Sequence, residues 1–344
     1  MVEPTKCNLF GSTFAEIQDL CSSLGFPRFS AKQICQWLYG KNVSDIQSMT
    51  NLSLLQRSRL SEVATIEKMQ PVDCQISCDG TKKYLFAAHN GYVETVYIPD
   101  GDRATLCISC QVGCRMGCHF CVTGSQGFHG NLSAAEILSQ LFSIPEFSSI
   151  SNIVYMGMGE PMDNYDNVLQ SLQVITSDWG LAWSPHRITV SSVGIIPAVE
   201  RLIADSQCHI AISLHNPFPD ERQSIMPMQK AYPIAQLVEM LKKYDWSGQR
   251  RVSFEYTMFD GLNDGTRHAQ ALVKLLNGLL CRVNLIRFHS SPDTPFRTAK
   301  KQTMENFRDY LNDHSLRCTI RASRGEDIMA ACGLLAGKSN PDHL

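Results

Sequence analysis

Two kinds of hydrophobic pattern follow one another along the chain, and the change between them divides it. Through residues 1–64 apolar positions recur at three- and four-residue spacing. Phe14, Ile17, Leu20, Cys21 and Leu24 stop at Gly25, and Ile34, Trp37 and Leu38 stop at Gly40. That period places one apolar stripe on a helix. Thr13 and Ser30 each stand three residues before Glu16 and Gln33, the pattern of a capping box. A third helix is expected over 50–60, so 1–64 reads as a small helical accessory domain. Residues 65–99 turn to strand chemistry: 83–88 and 92–98 flank Asn90-Gly91, the dipeptide that tight hairpins favour. This β-hairpin connection leads, through the Asp100-Gly101 turn, to a strand over 105–109.

From residue 100 to 325 short apolar runs alternate with amphipathic stretches. The runs 152–156, 187–191, 209–214, 252–256, 283–288 and 318–321 are strand candidates, and 133–141, 233–244 and 267–276 are helix candidates. Ser133 and Glu136 form another capping-box pair. Strands that are apolar throughout are buried on both faces, so repeated βα units predict an α/β fold with a parallel sheet, as an open or closed barrel. In such folds chemistry sits at the carboxyl ends of the strands. The longest loop-like stretch is 289–301.

Composition narrows the class. A chain of 344 residues suits about two domains, or one barrel with an appendage. With 19% charged and 44% apolar residues, disorder, collagen and coiled coil are excluded. No uncharged apolar run approaches the ~18 residues of a membrane span. Residues 1–6 have no basic stretch leading into an apolar one, so a cytoplasmic protein without membrane contact is expected. Lys and Arg total 31 against 33 Asp and Glu, a net charge of −2, so a nucleic-acid partner must be argued locally. Cysteine is the unusual residue. The 14 cysteines fall well below the ~8–10% of a small disulfide scaffold. In a long chain with reduced thiols, a cysteine cluster points to metal or catalysis.

Cys107, Cys110, Cys114, Cys118 and Cys121 form such a cluster, at the end of the first barrel strand and in the loop after it. Inert buried thiols explain it poorly, because a Gly-rich loop offers no core to hold five of them. A structural zinc site could use Cys107-x2-Cys110 with Cys118-x2-Cys121, but the gap between the pairs is short for a zinc ribbon. An iron–sulfur cluster on Cys114-x3-Cys118-x2-Cys121 explains more, with Gly113 and Gly117 letting the backbone wrap closely. Three thiolates leave one iron of a four-iron cube open to a ligand.

With Phe120 immediately before Cys121, these residues resemble the CxxxCxxC signature of the radical S-adenosylmethionine (radical SAM) superfamily. The resemblance extends to its RlmN/Cfr family over nearly the whole chain. It is carried by Cys107-Ile108-Ser109-Cys110-Gln111-Val112-Gly113-Cys114, Thr123-Gly124-Ser125-Gln126-Gly127-Phe128 and Gly157-Met158-Gly159-Glu160-Pro161. Ser213-Leu214-His215, Val283-Asn284-Leu285-Ile286 and the tail Gly325-Glu326-Asp327-Ile328-Met329-Ala330-Ala331-Cys332-Gly333 complete it.

The resemblance implies a partial (β/α)6 barrel over 100–325 and a carboxyl-terminal segment, 326–344, carrying Cys332. It implies one [4Fe-4S] cluster on Cys114, Cys118 and Cys121, and S-adenosylmethionine held by Gly159, Glu160, Ser191, Ser213, Leu214, His215 and His289. The implied reaction is methylation of adenosine C2 in 23S rRNA and tRNA, with two S-adenosylmethionine per turnover. The first methylates Cys332; the second is cleaved to a radical that takes hydrogen from that methyl group, whose carbon then adds to C2. Glu94 is the implied acceptor of the C2 proton. Cys107 then attacks the Cys332 sulfur, leaving a transient disulfide. An electron donor such as flavodoxin and a monomeric state belong to the same expectation.

Taken alone, Cys332 in Ala-Ala-Cys-Gly is an ordinary small buried residue, and Glu94 on an alternating strand is an ordinary solvated one. Two departures from the family stand out: His289 where asparagine is usual, and Cys110 where serine is common. Cys74 and Cys78 are read as ordinary thiols. Val112 and the Ala336-Gly337 end favour the C2 branch over the Cfr-type branch, which methylates C8 and confers antibiotic resistance. A zinc-stabilised RNA-binding module is the alternative from a different class. Lys32, Arg57, Arg59, Arg103, Arg115, Arg250, Arg251, Arg297, Lys300 and Lys301 are the cations available for a basic RNA face.

Overall fold

The structure, a computed structural model, describes residues 6–290 and 294–336. The amino-terminal segment is helical, as its periodicity predicts. Helix α1 (Phe14–Ser23) opens on the expected capping box, in which the Thr13 hydroxyl accepts from the Glu16 N–H and the Glu16 carboxylate accepts from the Thr13 N–H. The second expected box does not form. Ser30 is itself the first residue of α2 (Ser30–Cys35), buried, and its hydroxyl accepts from the Gln56 amide of α3 (Leu54–Val63). Interhelix packing takes the side chain that local pattern assigned to a cap. Helix α3 has a capping box of its own at Ser53 and Gln56, which shifts it to the carboxyl side of the expected 50–60.

One ten-stranded sheet organises the remainder, and its strand order is the order of the sequence. Strands β1 (Pro71–Ile76), β2 (Lys82–Ala88) and β3 (Gly91–Asp100) are antiparallel and lead into β4 (Arg103–Cys107). From β4 the sheet is parallel, through β5 (Asn152–Tyr155), β6 (Ile188–Ser192), β7 (His209–Ser213), β8 (Val252–Met258), β9 (Arg282–Arg287) and β10 (Cys318–Ile320). Each parallel step crosses over through helix, as parallel strands require. The crossovers carry α4 (Ala134–Phe142), α5 (Tyr165–Thr176), α6 (Ile196–Asp205), α7 (Pro219–Ile225), α8 (Ile234–Leu241), α9 (Thr266–Leu276) and α10 (Lys301–Asp313).

Six βα units therefore precede a final parallel strand, and β10 does not pair with β1, so the barrel is partial. All seven residues of β8 are buried, as befits a central strand covered on both faces. Because β4 to β10 run one way, Cys107, Tyr155, Ser192, Ser213, Met258 and Arg287 end on a single rim. Among the described residues no helix is long and apolar enough to cross a membrane.

Candidate active site

The cysteine loop begins where β4 ends, and buried polar side chains fix its path. Gln140, on the apolar stripe of α4, accepts from the Ser109 N–H at 2.8 Å and donates to the Ser109 carbonyl at 2.8 Å. The Thr95 hydroxyl completes that amide's bonding at 2.6 Å. Asn164, at the start of α5, donates to the carbonyls of Cys110 and Leu132 at 2.8 and 2.7 Å. A loop held at buried main-chain groups keeps one shape, since unmaking such bonds leaves donors and acceptors dry.

Gly113 shows how tightly the loop turns. Its φ is +72°, and a Cβ there would lie 2.0 Å from the Gly127 carbonyl oxygen, which accepts the Cys114 N–H at 2.7 Å. Gly113→Ala adds that backbone overlap to a left-handed strain of about 1–2 kcal/mol. The expected result is a lowered melting temperature together with reduced iron content after anaerobic reconstitution. Wild-type iron content in the variant would show that the loop tolerates another path.

Cys114, Cys118 and Cys121 line one cavity of about 150 Å³ with Gly159, Glu160, Ser191, Ser213, His215 and Cys332. Burial pushes the Cys114 thiol up to about 12, and it raises Cys118 and Cys121 too, with Cys118 raised further by its two neighbours' negative charge. Three crowded, desolvated thiols stay protonated unless a cationic centre stabilises the thiolates, so this donor set fits an iron–sulfur cluster. Among the described residues, no three His, Cys, Asp or Glu side chains converge on a position for one metal ion. Cys107 faces a different cavity, so the zinc pairing of Cys107 and Cys110 with Cys118 and Cys121 is not assembled. A cluster in which each thiolate takes its own iron needs no such single point.

The rim residues surround this cavity. Gly159 has φ +97°, and a Cβ there would meet the Gln111 side chain at 2.5 Å, so only glycine lets the main chain line the wall. Glu160 is buried, and its two oxygens accept N–H groups of Met162 at 3.1 Å and Val193 at 2.9 Å, tying the end of β5 to that of β6. Burial nevertheless pushes this carboxyl up to about 7. Ser191, Ser213 and His215 line the same cavity. His215 Nδ1 accepts the Thr257 N–H at 2.9 Å. Burial, and then the Arg222 charge, push the imidazole down to about 3, so the ring is neutral with Nε2–H left to donate. Leu214 differs from its neighbours: its side chain is in the core, and only its main chain faces the rim structure, accepting from Arg222 Nε at 3.0 Å. His289 lines the neighbouring cavity, with Nε2 at 2.8 Å from the Ser323 hydroxyl.

Cys332 lies beyond β10, after a short 3-10 turn at Glu326–Ile328, in a segment docked across the cysteine loop. The Val122 N–H donates to the Gly333 carbonyl at 2.8 Å, the Thr123 hydroxyl to Leu335 at 2.7 Å and the Gln126 amide to Ala336 at 2.7 Å. The β1–β2 turn holds the segment's other end, where Asp327 accepts from Ser77 and Cys78, and Asp79 accepts the Gly325 N–H. Cys332 thus stands in the wall between two cavities. One holds the three thiols; the other, of about 340 Å³, is lined by Cys107, His289, Arg287, Arg321 and Arg324. Burial raises the Cys107 thiol, and the proximity of Cys332 raises it further.

Glu94 sits behind this segment and lines neither cavity. Lys83 Nζ lies 3.1 Å from one oxygen, and the other accepts the Ala336 N–H at 2.7 Å. Gly337 lies outside the described residues. The cations considered for RNA do not share a face: Arg115 pairs with Asp163 in the cysteine loop, whereas Arg250 and Arg251 lie at the opposite end of the barrel.

Several residues around the site escaped sequence reasoning. Arg222 is fully buried and spends its donors on Leu214, Ser213 and Val193 carbonyls and the Gln229 amide, joining the ends of β6 and β7. Glu255 on β8 accepts from Ser253 and Asn284 through one oxygen, while the other lies 3.7 Å from Arg321. The available signal was a charged residue within an apolar strand; nothing nearby in sequence named its partner.

A partial parallel barrel that sets the thiols of a CxxxCxxC loop into the cavity at its carboxyl rim defines a radical SAM enzyme. The superfamily model matches residues 108–272, and a model described as ribosomal RNA large subunit methyltransferase N-terminal domain matches residues 7–66. A curated relative from Porphyromonas gingivalis, a probable dual-specificity RNA methyltransferase RlmN, is 53% identical over 96% of this chain and 94% of its own. The dual-specificity RNA methyltransferase RlmN of Syntrophus aciditrophicus is 43% identical over 98% of this chain and 99% of its own. The crystal structure of a radical SAM methyltransferase from Sphaerobacter thermophilus superposes with a TM-score of 0.89 at 37% identity, covering 96% of this chain and all of that one. The chain belongs to the RlmN family of radical SAM RNA methyltransferases, a class that uses S-adenosylmethionine and a [4Fe-4S] cluster.

Proposed function

We propose that this enzyme methylates C2 of adenosine in 23S rRNA and in tRNA, carrying the methyl group on Cys332 and using two S-adenosylmethionine per turnover. The observation that carries this is the position of Cys332 in the wall shared by the two cavities. A sulfur there can take a methyl group on the thiol-lined side and present it on the other. The dual specificity of the relatives supports both RNA classes. Adenine C2 has no nucleophilic lone pair, so a radical route suits it where a polar methyl transfer does not.

Cys114, Cys118 and Cys121 would hold the cluster, which when bound supplies the electron for reductive cleavage of S-adenosylmethionine. The main chain at Gly159, Glu160 and Leu214, with Ser191, Ser213 and His215, would orient that molecule. His289 would contribute from the second cavity. Glu94 would accept the C2 proton, which requires the Ala336 end of the tail to move off its carboxylate. Cys107 would close a disulfide with Cys332 as product leaves, and the reducing cytoplasm, with a donor such as flavodoxin for the cluster, would restore both.

The deciding experiment is anaerobic reaction with S-adenosylmethionine, reductant and either RNA, followed by nucleoside digestion and mass spectrometry. The expected product is 2-methyladenosine. Finding 8-methyladenosine instead, the Cfr-type outcome, overturns the C2 assignment, and a colourless zinc protein that methylates nothing overturns the enzyme assignment.

A further inference from the structure

Four arginines gather at the end of the barrel opposite the cysteine loop. Arg250 and Arg251 immediately precede β8, Arg282 is the first residue of β9, and Arg317 immediately precedes β10. Together with His314 they line an open cavity of about 500 Å³, and among the described residues no Asp or Glu is in its wall. Among the described residues, none of the four has a carboxylate within ion-pair distance. In a chain with 33 acidic residues and a net charge of −2, that is a local exclusion of carboxylates rather than a shortage of them.

One of the four is fixed in place, while Arg251 and Arg317 are exposed. Arg250 donates to the carbonyls of Cys208, Ile203 and Leu202 at 3.0, 2.8 and 3.1 Å, which fixes its guanidinium at the carboxyl end of α6, over the Trp246 ring. His209 Nδ1 accepts the Arg251 N–H at 3.0 Å. Burial pushes that imidazole down to about 4, helped by the charges of Arg251, His186, Arg282 and Arg250. Arg282 is lowered as well, first by burial and then by Arg251 and Arg317. Arg251, Arg282 and Arg317 therefore repel one another, a cost that a counter-ion offsets. An anion in the cavity does so, and guanidinium groups match phosphate oxygens in geometry as well as charge.

We infer that this cavity is a phosphate-binding site. Its volume of about 500 Å³ leaves room for linked phosphates, supplied either by the RNA backbone or by a small polyphosphate. β8 spans seven residues, which places the site about 20 Å from the catalytic rim. An RNA gripped there is held at a point remote from its reacting adenosine, gaining affinity without altering the chemistry.

The test compares cluster-loaded wild type with a variant carrying Arg251→Gln, Arg282→Gln and Arg317→Gln, and with the corresponding Lys variant. Substrate RNA binding is measured across about 50–300 mM KCl, and binding of inorganic pyrophosphate by calorimetry. If RNA is the source, the Gln variant binds RNA about tenfold more weakly at low salt, with a log–log salt slope smaller by about 2. The Lys variant keeps most of both, and turnover at saturating RNA is unchanged. If a small polyphosphate is the source, RNA binding is unchanged while pyrophosphate binds wild type and not the Gln variant. Unchanged RNA affinity and slope together with no pyrophosphate heat on wild type overturns the site. Should the triple variant fold poorly, Arg317→Gln alone carries the comparison, because its side chain is exposed and pairs with no carboxylate among the described residues.

Discussion

Cys332→Ala is expected to reduce methyl transfer by at least about 10³-fold, a loss of roughly 4 kcal/mol of barrier lowering, while leaving the iron–sulfur absorbance in place. The two halves of that expectation rest on different parts of the structure. Cys332 lines both cavities, and the proposed route has no other atom than its sulfur on which the methyl group can cross. The segment's docking uses main-chain carbonyls of Gly333, Leu335 and Ala336, none of which the substitution touches. Alanine also suits a position that follows buried Ala330 and Ala331. The three loop thiols should therefore load iron as before. Methylation that survives in this variant removes Cys332 as carrier; loss of the chromophore as well would mean that it serves the cluster. Absorbance near the cluster bands and mass spectrometry of digested RNA read the two halves separately.

How much of this was legible in the sequence follows from range. The cysteine loop is local, so spacing alone brought Cys114, Cys118 and Cys121 to one turn, and the strands were apolar runs because both sheet faces are covered. Helices with narrow apolar stripes were harder: α10 presents Met304, Phe307 and Leu311 among polar residues, and its first residue closed a stretch that resembled loop. Ser30 carried a capping pattern but packs against α3 instead. The meeting of Cys107 with Cys332 follows from no local pattern and came from resemblance. Gln140, Asn164 and Arg222 were hidden for a related reason. A buried polar side chain reads as an interruption of an apolar face until the backbone groups it satisfies are brought beside it by tertiary structure.

Cys107→Ala is expected to do the opposite of Cys332→Ala: chemistry begins and does not finish. The variant should accumulate a covalent adduct between Cys332 and RNA, resistant to denaturant, with free methylated product falling by at least about 10²-fold. Cys107 closes β4, where its main chain pairs with Val96 on one side and Val154 on the other, so removing its sulfur leaves the sheet intact. The lost sulfur is the one that shares the second cavity with Cys332. Burial raises the Cys107 thiol, so its attack needs help in forming the thiolate, and the Arg321 charge lowers both Cys107 and Cys332. No other cysteine lines that cavity, so none substitutes for it. Cys110 is close in sequence but buried, and it lines neither cavity. Denaturing electrophoresis followed by peptide mass spectrometry should find the RNA on Cys332. Release of methylated RNA at the wild-type rate would assign the resolving step elsewhere and leave Cys107 a neighbour rather than a partner.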